Sequence, residues 1–283
     1  RAHRDLRISV TDRCNFRCRY CMPAEGLEWL PRDGLLSFEE ISRVASLVVE
    51  RFGIRSIRLT GGEPTVRAKL PDLVRLLSPL PVDLALTTNG ATLRLLAAEL
   101  AEAGLGRINV SLDSLRRDRF EELTLRDGLA RVLDGIEAAL AAGLSPVKVN
   151  VVVMRGVNDD ELVDFARFGR ELGATVRFIE FMPLDAEEAW SEAAVVSQEE
   201  ILATIGAVYP LEPPARSNAP ATRFRYMDGG GEIGVVASVT QSFCDSCDRI
   251  RLTADGQFRN CLFATEEFDL RGLLRSGASD DEV

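Results

Sequence analysis

Short stretches in which polar and apolar residues strictly alternate recur through the first two thirds of the chain. Leu6, Ile8 and Val10 share one parity, and Arg7, Ser9 and Thr11 the other. Ile57 and Leu59 oppose Ser56, Arg58 and Thr60, while Leu84 and Leu86 oppose Ala85, Thr87 and Asn89. Ile108, Val110 and Leu112 oppose Arg107, Asn109, Ser111 and Asp113; Val147, Val149 and Val151 oppose Lys148 and Asn150. A period of two belongs to strands, so strands are predicted over 6–10, 54–60, 82–87, 107–112 and 147–154, with a sixth over 175–182. Helical stretches lie between them. Ser37 and Glu40 make a capping box that opens a helix running to Phe52, where Gly53 stops it. Further helices are expected from 70, over 93–103, over 117–142 up to Gly143, and over 159–172. Repeated βα units with short connections predict a parallel sheet or barrel, and six strands are two short of a full eight. After Pro183 the rhythm breaks. A Pro-rich linker over 212–220 and a turn over 228–231 between two strand-like runs suggest a smaller α+β part. The expected division is 1–190 and 191–283.

Parallel strands covered on both faces usually read as unbroken apolar runs, and these do not. If the apolar parity receives the helices, the other parity looks into a concavity lined by Arg7, Arg58, Arg107, Lys148 and Arg177. An antiparallel sheet with one wet face would alternate in the same way, but the intervening helices call for parallel crossovers. Buried cations are costly without acidic partners, and only Asp113 and Glu63 lie near enough in sequence to offset them. A phosphorylated small molecule would supply the missing charge, because the arginine fork binds two oxygens at once.

Bulk composition narrows the field. The chain has 283 residues, with 44 Asp and Glu against 34 Lys and Arg, a balance that speaks against nucleic-acid binding. His3 is the only histidine, which removes the usual proton shuttle and neutral metal ligand. No apolar run approaches the roughly 20 residues a membrane helix needs, and no signal-peptide pattern opens the chain. A reducing, cytoplasmic setting with thiols kept for metal is expected.

All six cysteines fall in two triplets. Cys14, Cys18 and Cys21 follow the first strand, and Cys244, Cys247 and Cys261 lie near the end. A closed structural zinc site wants four protein ligands, and a closed iron–sulfur cluster four thiolates. Three leave one metal position open to chemistry. The i, i+4, i+7 spacing of the first group also fits one face of a helix, but Arg13, Asn15, Arg17 and Arg19 leave little apolar stripe. The second group could be a zinc site completed by a distant ligand, although no histidine is near. Arg249 and Arg251 alternate with Ile250, so on a strand both guanidinium groups point the same way.

The first triplet, with aromatic Tyr20 just before its last cysteine, resembles the signature of the radical S-adenosylmethionine (SAM) superfamily. The resemblance implies an incomplete (βα)6 TIM-like barrel of the radical SAM type. It also implies a [4Fe–4S] cluster on Cys14, Cys18 and Cys21, whose fourth iron is chelated by SAM, and a 5′-deoxyadenosyl radical made by reductive cleavage. Gly61-Gly62-Glu63-Pro64 matches the motif that grips the SAM amine. Tyr20, Gly62, Glu63, Ser111 and Met182 are therefore implied SAM contacts. Met182 has the opposite parity to Arg177, so a bulge is required if both face inward.

Across 7–270 the chain is similar to the GTP 3′,8-cyclases, which begin molybdenum cofactor biosynthesis. Ile57-Arg-Leu-Thr-Gly-Gly-Glu-Pro64, Asn109-Val-Ser-Leu-Asp-Ser114 and Phe178-Ile-Glu-Phe-Met-Pro183 carry the likeness. It implies a second [4Fe–4S] cluster on Cys244, Cys247 and Cys261 whose open iron takes guanine. GTP would meet Arg7, Arg58, Thr87, Lys148, Arg177, Arg249, Ile250 and Arg251. The family reaction removes hydrogen from ribose C3′ and joins C3′ to guanine C8, giving 3′,8-cyclo-7,8-dihydro-GTP, a lyase chemistry with no catalytic side chain beyond the cofactor ligands. A flavodoxin- or ferredoxin-like reductant, a downstream pyranopterin-forming enzyme and a homodimer are the implied partners. Family members end in a Gly-Gly tail, whereas this sequence stops at Val283; trimming is the expected explanation. Peptide-modifying radical SAM enzymes with an auxiliary cluster, and plain iron–sulfur electron carriers, are the rival readings.

Overall fold

The computed structural model describes residues 3–184, 190–214 and 220–283. Six βα units come first: β1 (Asp5–Ser9), α1 (Phe38–Phe52), β2 (Ser56–Thr60), α2 (Leu70–Leu77), β3 (Asp83–Thr88), α3 (Ala97–Glu102), β4 (Arg107–Ser111), α4 (Arg117–Thr124), α5 (Leu129–Ala141), β5 (Val147–Val153), α6 (Leu162–Leu172) and β6 (Thr175–Glu180). Then follow α7 (Gln198–Gly206), β7 (Thr222–Arg225), β8 (Glu232–Val236), β9 (Arg249–Leu252), β10 (Gln257–Arg259), β11 (Phe268–Asp269) and α8 (Leu270–Arg275). Local chemistry explains the boundaries. The Ser37 hydroxyl accepts from the Glu40 amide at 3.1 Å, the Glu40 carboxylate accepts from the Ser37 amide at 2.7 Å, and Gly53 ends α1 in the left-handed region. The helical stretch expected over 117–142 is two helices, because Leu125 adopts φ 52° and turns the chain between α4 and α5.

Strands β1 to β6 pair in chain order, all parallel, which excludes the antiparallel reading. Leu6, Ile8, Ile57, Leu59, Leu86, Ile108, Val149 and Phe178 are wholly buried beneath the helices, each burial stabilising by about 1.5–3 kcal/mol. Most of the opposite parity is only half-buried and faces the concavity, with Ala85 and Asn109 wholly buried.

The expectation that the last third forms a unit of its own takes a different form. Its strands join the same sheet at both flanks: β8 lies parallel beside β6 and carries β7, while β9 lies parallel beside β1 and carries β10 and β11. The sheet therefore has 11 strands, stays unclosed, and has β11 and β7 as its edges. The 228–231 turn joins β7 to β8 as expected. The linker reading over 212–220 falls partly on 215–219, outside the described residues.

Candidate active site

The first cysteine loop leaves the C-terminal end of β1 and is pressed against the end of β2. The Gly62 amide donates to the Thr11 carbonyl and the Glu63 amide to the Arg13 carbonyl, both at 2.7 Å. A Cβ on Gly62 would stand 2.3 Å from the Asp12 carbonyl oxygen, and one on Gly61, at φ 153°, 2.4 Å from that of Thr11. Close approach of two backbones thus requires both glycines. Further on, the Arg17 and Arg19 amides bond the Thr124 and Leu123 carbonyls, and the amides of Cys21 and Met22 both reach the Cys18 carbonyl. The Tyr20 hydroxyl donates to Asp113 at 2.5 Å, and the other Asp113 oxygen accepts from the Val152 amide at 2.8 Å. This chain of bonds ties the cysteine loop to the ends of β4 and β5. Burial raises all three thiols; beyond it Cys18 feels Asp113, then Cys21 and Cys14, Cys21 feels Cys14 and Asp113, and Cys14 feels Glu63. Three thiols on one loop, each costly to ionise alone, suit a cationic cluster that binds thiolates.

Glu63 is nearly inaccessible. Its carboxylate accepts from the Thr65 amide and hydroxyl, the Thr88 hydroxyl and the Asn89 amide, at 2.5–3.0 Å. Burial still outweighs these donors and pushes its pKa up. The side chain is committed to the protein, so what this motif offers a ligand is the exposed main chain at Gly62. Ser111 ends β4 half-buried, in register with Asn150. Strand β6 stops at Glu180, so Met182 is placed by the following loop and strand parity no longer governs it.

Arg251, Arg7 and Arg58 stand in one register row across β9, β1 and β2. Burial, then Arg58 and Arg249, lowers Arg7 to about 9; burial, then Arg58 and Arg107, lowers Arg177 to about 10. Lys148 is brought to about 8 by burial, Arg177 and Arg107. Burial likewise lowers Arg58 and Arg251. The Nε atoms of Arg7 and Arg58 are buried without a hydrogen-bond partner. The acids that offset this charge are not Glu63 and Asp113 but Asp5, 3.6 Å from Arg7, Asp83, which grips Arg107 through both oxygens, and Glu232, which acts on Lys148 and Arg177. Arg107 is therefore neutralised and leaves the set of cations available to a ligand. The Thr87 hydroxyl accepts from Asn109, whose own oxygen faces Arg177 at 3.4 Å. Ile250 turns its side chain into the core, leaving only its main chain for a ligand. Asn109 and Asn150 share the inward parity; polar type at an inward position was the signal that marked them, and the Asn150 side-chain Oδ1 is buried without a hydrogen-bond partner.

The second cysteine group sits at the other end of the strands. Because β9 runs parallel to β1, Cys247, just before β9, lies at the N-terminal end of the sheet, while Cys14 lies at the C-terminal end. The antiparallel β9–β10 pair returns Cys261 to the same end. The Arg249 Nε donates to the Cys247 sulfur at 3.2 Å and its guanidinium covers the Phe243 ring at 4.9 Å. Burial opposes ionisation of Cys247, but the Arg249 amide and guanidinium win and hold its pKa down. Arg251 feels both Cys247 and Cys261. The donor set and this cationic surrounding fit a thiolate-bound cluster.

Residues 8–169 match the Radical SAM superfamily model, and 174–283 match Molybdenum Cofactor Synthesis C. The "GTP 3′,8-cyclase" of Rhodopirellula baltica is 49% identical over 290 residues, covering 100% of this chain and 81% of the relative. That of Moorella thermoacetica is 50% identical over 282 residues, covering 98% and 87%. Among solved structures, Streptococcus suis SuiB bound to S-adenosylmethionine superposes with TM-score 0.69 at 13% identity, over 99% of this chain and 66% of that one. Methylornithine synthase (PylB) does so with TM-score 0.61 at 14% identity, over 100% and 85%. At such identities the structural likeness speaks for the fold alone.

Proposed function

Since the chain belongs to the GTP 3′,8-cyclase family of the radical SAM superfamily, we propose that it cyclises GTP to 3′,8-cyclo-7,8-dihydro-GTP, a lyase reaction that opens molybdenum cofactor biosynthesis. The carrying observation is the disposition of three groups along one sheet. A cysteine triplet stands at each end, and between them lies a row of buried arginines short of acidic partners.

Cys14, Cys18 and Cys21 would hold one [4Fe–4S] cluster, with SAM against Gly62, Ser111, Met182 and the Tyr20 segment; Glu63 and Asp113 would fix that rim. Cys244, Cys247 and Cys261 would hold a second cluster. When bound, the first cluster and SAM supply the electron and the 5′-deoxyadenosyl radical that takes hydrogen from ribose C3′. The protein's own task is positioning. Arg7, Arg58, Lys148, Arg177, Arg249 and Arg251 grip the triphosphate, with Thr87 and the Ile250 main chain beside them. This fixes the ribose between the two ends. In this reading 1–190 carries the radical machinery and 191–283 the second cluster. An acidic flavodoxin- or ferredoxin-like protein supplies electrons, the product passes to a pyranopterin-forming enzyme in the cytoplasm, and two copies pair as a homodimer. Among the described residues no helix is long and apolar enough to cross a membrane.

The test is anaerobic turnover of reconstituted protein with SAM, dithionite and GTP. Formation of 5′-deoxyadenosine and a cyclised nucleotide, both dependent on GTP, is expected. SAM cleavage that ignores GTP and yields no cyclised product would overturn the assignment.

A further inference from the structure

Segment 237–248 has an unusual course. It leaves the C-terminal end of β8, beside β6, and arrives at the N-terminal end of β9, beside β1. It therefore crosses from one flank of the unclosed sheet to the other and from one end to the other, bearing Cys244 and Cys247 on the way.

What holds its beginning is Glu180, the last residue of β6, wholly buried on the helix side of the sheet. One carboxylate oxygen accepts from the Gln198 amide at the start of α7 at 3.0 Å and from the Thr240 hydroxyl at 2.5 Å. The other accepts from the consecutive amides of Val239 and Thr240, each at 2.8 Å. The Ser238 hydroxyl adds a bond to the Glu180 carbonyl at 3.3 Å. Five donors from two segments distant in sequence converge on one residue. Two successive amides aimed at one oxygen form an anion-binding concavity, and the start of α7 adds its dipole.

We propose that Glu180 is a positioning residue for the second cluster: it seats 238–240 and so sets where Cys244 and Cys247 stand relative to Cys261. The inference rests on the two-cluster reading above. Its geometry asks for an acceptor-only group. A glutamine would turn an NH2 donor toward the Val239 and Thr240 amides or the Gln198 amide, leaving buried donors unmet.

The experiment compares the reconstituted wild-type chain with Glu180→Gln and Thr240→Val. Wild type should bind about eight irons, and E180Q about four, with the loss confined to the second cluster's electron paramagnetic resonance signal. SAM binding and the first cluster's own signal should persist in E180Q, and faster hydrogen exchange should be confined to 237–248. T240V, which removes one donor, should weaken GTP binding while keeping both clusters. If wild type itself binds only about four irons, the two-cluster reading fails and this inference with it. If wild type binds eight and E180Q does too, with unchanged GTP affinity, Glu180 does not position the cluster. Loss of both clusters together, with exchange rising throughout the barrel, would make it a general fold residue and equally overturn the proposal.

Discussion

Arg7 and Arg251 face each other across two adjacent parallel strands, one contributed by the start of the chain and the other by its last third. Two cations in register on one face repel; Asp5 eases Arg7, while Cys247, Cys261 and Asp5 ease Arg251. The arrangement is one a bound polyanion would reward. R251A should therefore weaken GTP binding by about 10- to 150-fold, the range of one hydrogen bond to a charged group. Calorimetric titration of reconstituted protein checks this, with the discrimination of GTP from guanosine collapsing in parallel. Without nucleotide, the same variant should melt no lower than wild type, because it removes a repelled charge. A variant that loses stability but keeps affinity would sink the phosphate reading.

Lys148 gives a dependence on pH with a definite sign. Its folded pKa, brought down to about 8, lies below the unfolded value. In the free protein the destabilisation is present below about 8 and relieved as pH rises toward the unfolded pKa near 10.4. Nucleotide should restore the proton. At about pH 8.5, GTP binding should take up protons, seen as a heat that varies with the buffer's ionisation enthalpy, and Kd should rise as pH passes 8. K148R should shrink both effects and move what remains to higher pH, where Arg7 and Arg177 respond.

The pressed contact between the cysteine loop and β2 makes Gly62 intolerant of any side chain. Gly62→Ala places a Cβ against two carbonyl oxygens that cannot recede without moving the loop. A loss of about 1–3 kcal/mol in stability is expected from overpacking, with the first cluster's iron lost and the second retained. Iron analysis together with thermal melting reads both.

Tyr20 tests how that loop is held from the other side. Tyr20→Phe keeps the ring and removes the donor to Asp113, at a cost of about 1–3 kcal/mol for a buried acceptor left short. SAM affinity should fall and the uncoupled formation of 5′-deoxyadenosine should rise as the loop loosens. An unchanged ratio of 5′-deoxyadenosine to cyclised product would show that the bond is structural only.

Sequence parity read the inward face correctly because alternation is a local property of an extended chain. Arg7, Arg58, Lys148 and Arg177 needed no knowledge of partners. The compensating acids were misjudged because proximity in sequence stood in for proximity across strands: Asp83 meets Arg107 from the neighbouring strand. The break between α4 and α5 escaped periodicity, since both halves keep a helical pattern on either side of 125–128, where Leu125 takes φ 52° and Gly128 precedes α5. The pairing of β9 with β1 and of β8 with β6 was likewise out of reach, because register between distant segments leaves no local trace. Glu180 was quoted within a motif but assigned nothing, its donors lying 18 to 60 residues away.

The flanking of β1 by β9 bears on biosynthesis. Strand β1 pairs on one side with a neighbour made soon after it, and on the other with a strand almost 250 residues later. Until that late strand emerges, β1 offers a bare row of amides and carbonyls, an invitation to aggregate. A nascent chain stalled after β6 should need chaperone shelter, and metal delivered before release would meet a barrel lacking one wall.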